Sequence, residues 1–330
     1  MVSVFRVRRA GRMRWVLLGV LLLLLGACSA VKVAYNHADL YLRWKAEEYF
    51  ALEGEQQVLL GERLDAITSW HRREELPRYS ALLLAAQDRV GGGLTDVDLE
   101  WFMDAARTRY EALVRHTAPD AAEVLGKLSA AQMARFEARL KRENSRFAEE
   151  YVAPPVEVQR QKRYEATLDT IEDWTGPLSE AQRARVKELS VAIPLTHALR
   201  HADRQRRQRE LISILQRPRT QAERATALEA WLLGWDQGRA PDYESSALQV
   251  KRQAVALVLE LDRSLTLSQR SRVQSKLAGY AAEFNALASG SPERAAAIPA
   301  PLTLRSVSVA PAWGGALSVR DRRAFVFPIR

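Results

Sequence analysis

Apolar residues recur three and four positions apart through most of the chain, from Ala34 to Leu287. This spacing is typical of amphipathic α-helices, and the alternation that marks β-strands is almost absent. The clearest helix face comprises Met133, Phe136, Leu140, Phe147 and Tyr151. Further faces are Leu60, Leu64, Ile67; Tyr79, Leu82, Leu83, Ala86; Tyr164, Leu168, Ile171; Leu228, Trp231, Leu232, Trp235; and Val273, Leu277, Tyr280, Phe284.

Proline and glycine interrupt this pattern, and we expect helices to end there. The positions are Pro77, Gly91 to Gly93, Pro119, Pro154-Pro155, Gly176-Pro177, Pro218 and Pro241. Pro194 lies inside a helical pattern and predicts a kink. The sequence therefore predicts an all-α fold with roughly eight to ten helices, arranged as an elongated bundle of antiparallel helical hairpins.

The first residues have the pattern of a secretory signal, because five arginines precede an apolar run from Trp15 to Ala27. This run is too short for a membrane-spanning helix, which needs roughly 20 apolar residues. Leu25-Gly26-Ala27-Cys28 resembles a lipobox, so we predict a lipoprotein signal peptide over 1–27 and lipidation of Cys28. A plain cleaved signal and an uncleaved anchor are the alternatives.

Cys28 is the single cysteine of the chain, which excludes an intramolecular disulfide. The segment resembles the lipoproteins of Gram-negative bacteria, in which Ser29, in place of aspartate, implies sorting to the outer membrane. We therefore predict that residues 28–290 form a helical periplasmic domain, attached to the membrane by its lipid.

The net charge of +9 lies at the two ends of the chain, and residues 28–290 are neutral overall. A neutral body has no global field that attracts nucleic acid, so we predict no such partner. Residues 291–330 lose the helical period, and we predict a disordered tail there. A shifted reading frame is the alternative explanation of this segment.

A short motif recurs as Leu128-Ser129 with Gln132, Leu178-Ser179 with Gln182, and Leu265-Thr266 with Gln269. Leu94-Thr95 with Asp98, and Leu52 with Gln56, are weaker copies. The motif predicts capping boxes, in which the serine or threonine oxygen accepts from the third helical amide. It also resembles the LTxxQ repeats of the Spy-like periplasmic chaperones, which implies binding of unfolded clients.

A wider set of motifs resembles a family of proteobacterial lipoproteins of unknown function. The set comprises Cys28-Ser29, Tyr35-Asn36 with Asp39, Trp70-His71-Arg72, Glu75 to Tyr79, Leu128 to Gln132, Asn144, Arg160 with Arg163, and Trp174 to Gln182. The resemblance implies a helical lipoprotein and no established activity. It does not extend to the tail.

Trp70, His71, Arg72 and Glu75 belong to the densest polar and aromatic cluster of the chain, and we predict either an interaction surface or a helix end paired with its neighbours. His197 and His201 are spaced four apart and are weak metal candidates without a third ligand. The arginines between Arg200 and Arg209 favour a solvated helix face or a contact with lipid phosphates. Asn144 interrupts an apolar stripe and predicts a structural amide.

No nucleophile motif and no phosphate-binding glycine loop is present in the sequence. We therefore predict a non-enzymatic interaction or structural protein of the cell envelope that needs no cofactor. It binds an envelope protein or another envelope component. A Spy-like chaperone is the first alternative, and a metal-assisted hydrolase using His71 or the histidine pair is the second.

Overall fold

A computed structural model of the protein describes residues 31–290, and all regular secondary structure in this range is helical. A helical segment at 31–36 precedes eleven α-helices. They are α1 (Ala38–Phe50), α2 (Glu55–Trp70), α3 (Leu76–Gly92), α4 (Asp96–Leu125), α5 (Ala130–Phe147), α6 (Val156–Thr175), α7 (Glu180–Ala192), α8 (His197–Gln216), α9 (Gln221–Leu233), α10 (Pro241–Ser264) and α11 (Leu267–Ser289). The predicted all-α fold is confirmed, with more helices than expected.

The predicted signal peptide (1–27), the lipidation site Cys28 and the predicted tail (291–330) lie outside the described residues. Within 31–290, no helix combines the length and the apolar character that crossing a membrane requires.

Three proline predictions are wrong, and the first two concern Pro119 and Pro194. Pro119 lies inside α4 rather than at its end, and it is exposed, whereas Ala118 and Ala122 are buried. A proline inside a helix costs about 3 kcal/mol, and here the packing of α4 against its neighbours offsets that cost. Pro194 does not kink a helix, because it lies in the connection between α7 and α8.

Two π-helical turns each precede a proline. The first π turn (His71–Glu75) joins α2 to α3, and Pro77 follows at the start of α3. The second π turn (Ala148–Val152) follows α5 and precedes Pro154. A proline ring collides with the carbonyl four residues earlier, and a π turn widens the helix by one residue. The helix therefore continues past Pro77, where the sequence predicted a stop.

The main core lies between α3 and α11. Ser80 donates a hydrogen bond to the carbonyl of Ala281 at 2.9 Å, and Gln274 donates to the carbonyl of Gln87. Since residue numbers rise along α3 as they fall along α11, the two helices are antiparallel. The buried side chains between them are Leu76, Leu83, Val90, Leu277, Ala281, Phe284 and Leu287.

The predicted capping boxes are confirmed at Thr95, Ser129, Ser179 and Thr266, and a fifth box at Thr220 was not predicted. Three boxes have buried glutamines, Gln132, Gln182 and Gln269, and each of them also pairs with a glutamine of another helix. Gln182 and Gln269 exchange reciprocal amide hydrogen bonds of 3.0 and 3.1 Å. Gln56 and Gln132 form an equivalent pair at 2.7 and 3.1 Å. One side chain thus caps its own helix and docks it onto another.

Candidate functional site

The first π turn surrounds a buried carboxylate. Glu75 is 0 % exposed, and its Oε1 accepts from Arg78 at 2.8 Å and from Arg109 of α4 at 3.4 Å. Its Oε2 is buried and has no hydrogen-bond partner. A buried charge is stable only when it is paired, so the two guanidinium groups hold this carboxylate in place. Arg109 was not singled out from the sequence, because it lies 34 residues away.

The same turn holds the segment at 31–36 against the body of the protein. The Tyr35 hydroxyl and His71 Nδ1 form a hydrogen bond of 2.8 Å, and Arg72 donates to Asn36 Oδ1 at 2.7 Å. Arg72 also reaches the carbonyl of Leu287 near the end of α11. The first π turn therefore joins α2, α3, α4 and α11 to the segment at 31–36.

Burial determines the protonation of this junction. It lowers the pKa of His71, against a smaller opposing effect of the Glu75 charge, so the imidazole is neutral at pH 7. Burial likewise raises the pKa of Tyr35 to about 12. Trp70 stacks on His116 with ring centroids 3.7 Å apart. The structure thus brings Trp70, His71, Arg72 and Glu75 together, mainly through contacts inside the protein.

The weak metal candidates lie beside the second π turn. The His201 ring stacks on Phe147 at 5.6 Å, and the His197 ring lies against Tyr151, also at 5.6 Å. Nδ1 of each histidine is buried without a hydrogen-bond partner. Among residues 31–290, no group of three or more histidine, cysteine, aspartate or glutamate side chains is arranged to hold a metal ion.

The arginines of α8 differ from a simple solvated face. Arg204 pairs with Glu143 at 3.2 Å and donates to the Asn144 side chain at 3.0 Å, while Arg206 pairs with Asp203 at 2.7 Å. Arg207 donates to the carbonyl of Trp231 at 2.8 Å, and Arg209 is exposed. Asn144 also donates to Gln208 at 2.6 Å, as a structural amide should. Arg204 and Arg207 therefore join α8 to α5 and α9, whereas Arg206 pairs within α8.

Lowering the pH should destabilise the protein partly through His197. Burial, then the Arg163 and Arg200 charges, lowers the pKa of His197 to about 4. Below pH 6.5 His197 binds a proton in the unfolded chain but not in the folded chain. The free energy of unfolding therefore falls as the pH decreases from 6.5 to about 4. His197→Gln should reduce proton uptake on unfolding at pH 5 by about one proton.

Urea titrations between pH 4 and 7 measure this uptake. His71 adds to the pH dependence of unfolding in the same direction, because its pKa is also lowered, and it is unchanged in His197→Gln. His37→Gln, at an exposed position, is the control. Identical pH dependence in the wild type and His197→Gln would contradict the assignment.

Comparison with known proteins gives one match. The model of a family of unknown function, DUF6279, matches residues 48–243, which is more than half of the chain. Both π turns and α8 lie within the matched region. No curated protein and no solved structure matches. The chain therefore belongs to the DUF6279 family, whose function is unknown.

Proposed function

We propose that this protein is a lipid-anchored component of the cell envelope, attached through Cys28, that acts by binding rather than by catalysis. An apolar stripe near the beginning of the described chain supports the proposal. Val33 and Leu40 are each 52 % exposed, Trp44 is 47 % exposed, and Tyr41 is exposed beside them. Their spacing of seven, one and three residues places them on one side of a helix.

The position of this stripe connects it with the predicted anchor. Val31 lies three positions after Cys28, and an extended chain of that length spans at most about 10 Å. A lipid on Cys28 would therefore hold the segment at 31–36 at the bilayer surface. The apolar stripe extends over about 17 Å of helix, since eleven residues rise 1.5 Å each. Tryptophan and tyrosine are favoured at membrane interfaces, so we propose that the stripe lies on the lipid.

The first π turn supplies the rigid connection in this arrangement. Its bonds to Tyr35 and Asn36 fix the segment at 31–36 to α2 and α3. A helix that lies on the bilayer would thus orient the whole helical body relative to the membrane. In this proposal α5 to α10 project from the surface and present their grooves to an envelope partner.

Replacing Cys28 should release the protein from the membrane. Cys28→Ser removes the thiol that accepts the lipid, so we expect the chain to move from the membrane to the soluble fraction of disrupted cells. Double replacement of Leu40 and Trp44 by Glu in this background should then lower binding to phospholipid vesicles by about 10-fold or more, since each apolar side chain contributes about 1.5 to 3 kcal/mol on burial.

Leu248→Glu, which introduces the same charge at an exposed leucine of α10, is the matched control and should leave vesicle binding unchanged. If Cys28→Ser stays in the membrane fraction, the anchor is wrong. If the double variant binds vesicles like its parent, the stripe faces a protein instead of lipid.

A Spy-like chaperone is the second candidate. The specific observation behind it is the repetition of the Leu-Ser/Thr-x-x-Gln helix starts in paired positions. These glutamines are bonded to other glutamines, so client binding would use other surfaces of the helices. Suppression of client aggregation by the Cys28→Ser chain at a near-stoichiometric ratio would favour this candidate, and no suppression would remove it.

A further inference from the structure

Three basic side chains lie on α6 and at the beginning of α8. We call Arg163, His197 and Arg200 the basic cluster. Arg163 donates to the carbonyl of Ile193, and the Arg200 guanidinium lies 5.6 Å from the centroid of the Phe147 ring. Within the described part of the chain, neither arginine forms an ion pair with a carboxylate.

The surroundings make this lack of a counter-charge unusual. Burial lowers the pKa of both arginines, and their nearest cations, Arg160 and Arg204, lower it further. The groups with the opposite effect on Arg200 are the side chains of Tyr243 and Tyr151, and no carboxylate is among them. Half-buried guanidinium groups are usually paired. The basic cluster therefore carries positive charge that no ion pair within residues 31–290 balances.

Further hydrogen-bond donors lie at the beginning of α8. His197 is the first residue of α8, and its buried Nδ1 has no partner. Thr196 precedes it and forms no side-chain cap, in contrast to the capping boxes of five other helices. The first amides of a helix point outward and carry a partial positive charge. Two guanidinium groups, an imidazole and these amides together favour an anion.

We propose that the basic cluster binds a phosphate group. Guanidinium forks match the oxygens of a phosphate in a bidentate arrangement, and the protonated Nδ1 of His197 adds a donor. Several donors around one charge are the geometry that a dianion with three or four acceptor oxygens needs. Free phosphate and the phosphate monoester headgroup of a lipid both supply this chemistry.

Thermal unfolding of the full chain in a neutral detergent tests the proposal. At constant ionic strength, about 20 mM phosphate should raise Tm by about 2 to 4 °C relative to chloride. Dihexanoylphosphatidic acid, below its micellar concentration, is the second ligand. If its half-saturating concentration is about a tenth of that of phosphate or less, the site recognises a lipid headgroup. Equal half-saturation assigns the site to free phosphate.

Arg200→Gln should abolish the shift, because it removes a charge that forms no ion pair in the structure. Arg209→Gln, an exposed position on the same helix, should retain the full shift. Phosphate should also raise the pKa of His197 from about 4 by at least about one unit, measured by NMR, since an anion favours the protonated ring. If neither ligand shifts Tm, or if Arg200→Gln responds like the wild type, the proposal is overturned.

Discussion

Glu75→Ala should destabilise the folded protein by about 3 kcal/mol. The substitution removes a carboxylate that is 0 % exposed and leaves Arg109 half-buried without its counter-charge. It also opens a cavity beside the buried Leu76. Breaking a buried ion pair typically costs about 3 to 5 kcal/mol. We expect a cost at the low end of this range, because the half-exposed Arg78 can turn towards water. Urea denaturation monitored by circular dichroism measures the change.

The neighbouring acid provides the control. Glu74 pairs with Arg78 at the surface, at 3.2 Å with both side chains about half exposed, so Glu74→Ala should cost less than about 1 kcal/mol. Glu75→Gln keeps the shape of the side chain, and we expect an intermediate loss. Equal stabilities of the Glu74 and Glu75 variants would show that the buried carboxylate does not stabilise the first π turn.

The Glu75 variants also separate the stability of the π turn from its role in holding the segment at 31–36. If the turn positions that segment, Glu75→Ala should increase proteolysis near Tyr35 at urea concentrations that leave the rest of the chain folded. Cleavage that begins everywhere at once would indicate that the turn contributes only to global stability.

Gln182→Ala should destabilise the protein by about 2 to 3 kcal/mol. The side chain accepts from the Ser179 amide, donates to the Ser264 carbonyl and exchanges two bonds with Gln269. Its loss therefore removes a helix cap and leaves buried groups of two other helices without partners. A double-mutant cycle with Gln269→Ala should give a coupling of about 1 kcal/mol or more.

Glu223→Ala is the matched control for this prediction. Glu223 completes the capping box of α9 with Thr220, and that box is exposed, with hydrogen bonds between these two residues. Its removal tests the cap alone, so the loss of folding stability should be markedly smaller than for Gln182→Ala. Additive effects of Gln182→Ala and Gln269→Ala would contradict a paired motif.

The sequence by itself determined the features that depend on a few neighbouring residues. The face formed by Met133, Phe136, Leu140 and Phe147 is buried as its spacing predicted. Four of the predicted capping boxes are present, since a cap requires only the residue that begins the helix and the one three positions later. The all-α fold followed from the same local periodicity.

Only the tertiary structure decided how distant residues combine. The effect of Pro119 depends on packing that compensates a lost hydrogen bond, and the run before Pro77 becomes a π turn because Glu75 finds Arg109 on another helix. Gln182 and Gln269 meet across 87 residues. Arg200 and Arg204 look alike in the sequence, yet one pairs with Glu143 and the other with no carboxylate of the described chain. Helical periodicity is local, whereas burial and charge pairing depend on which helices dock together.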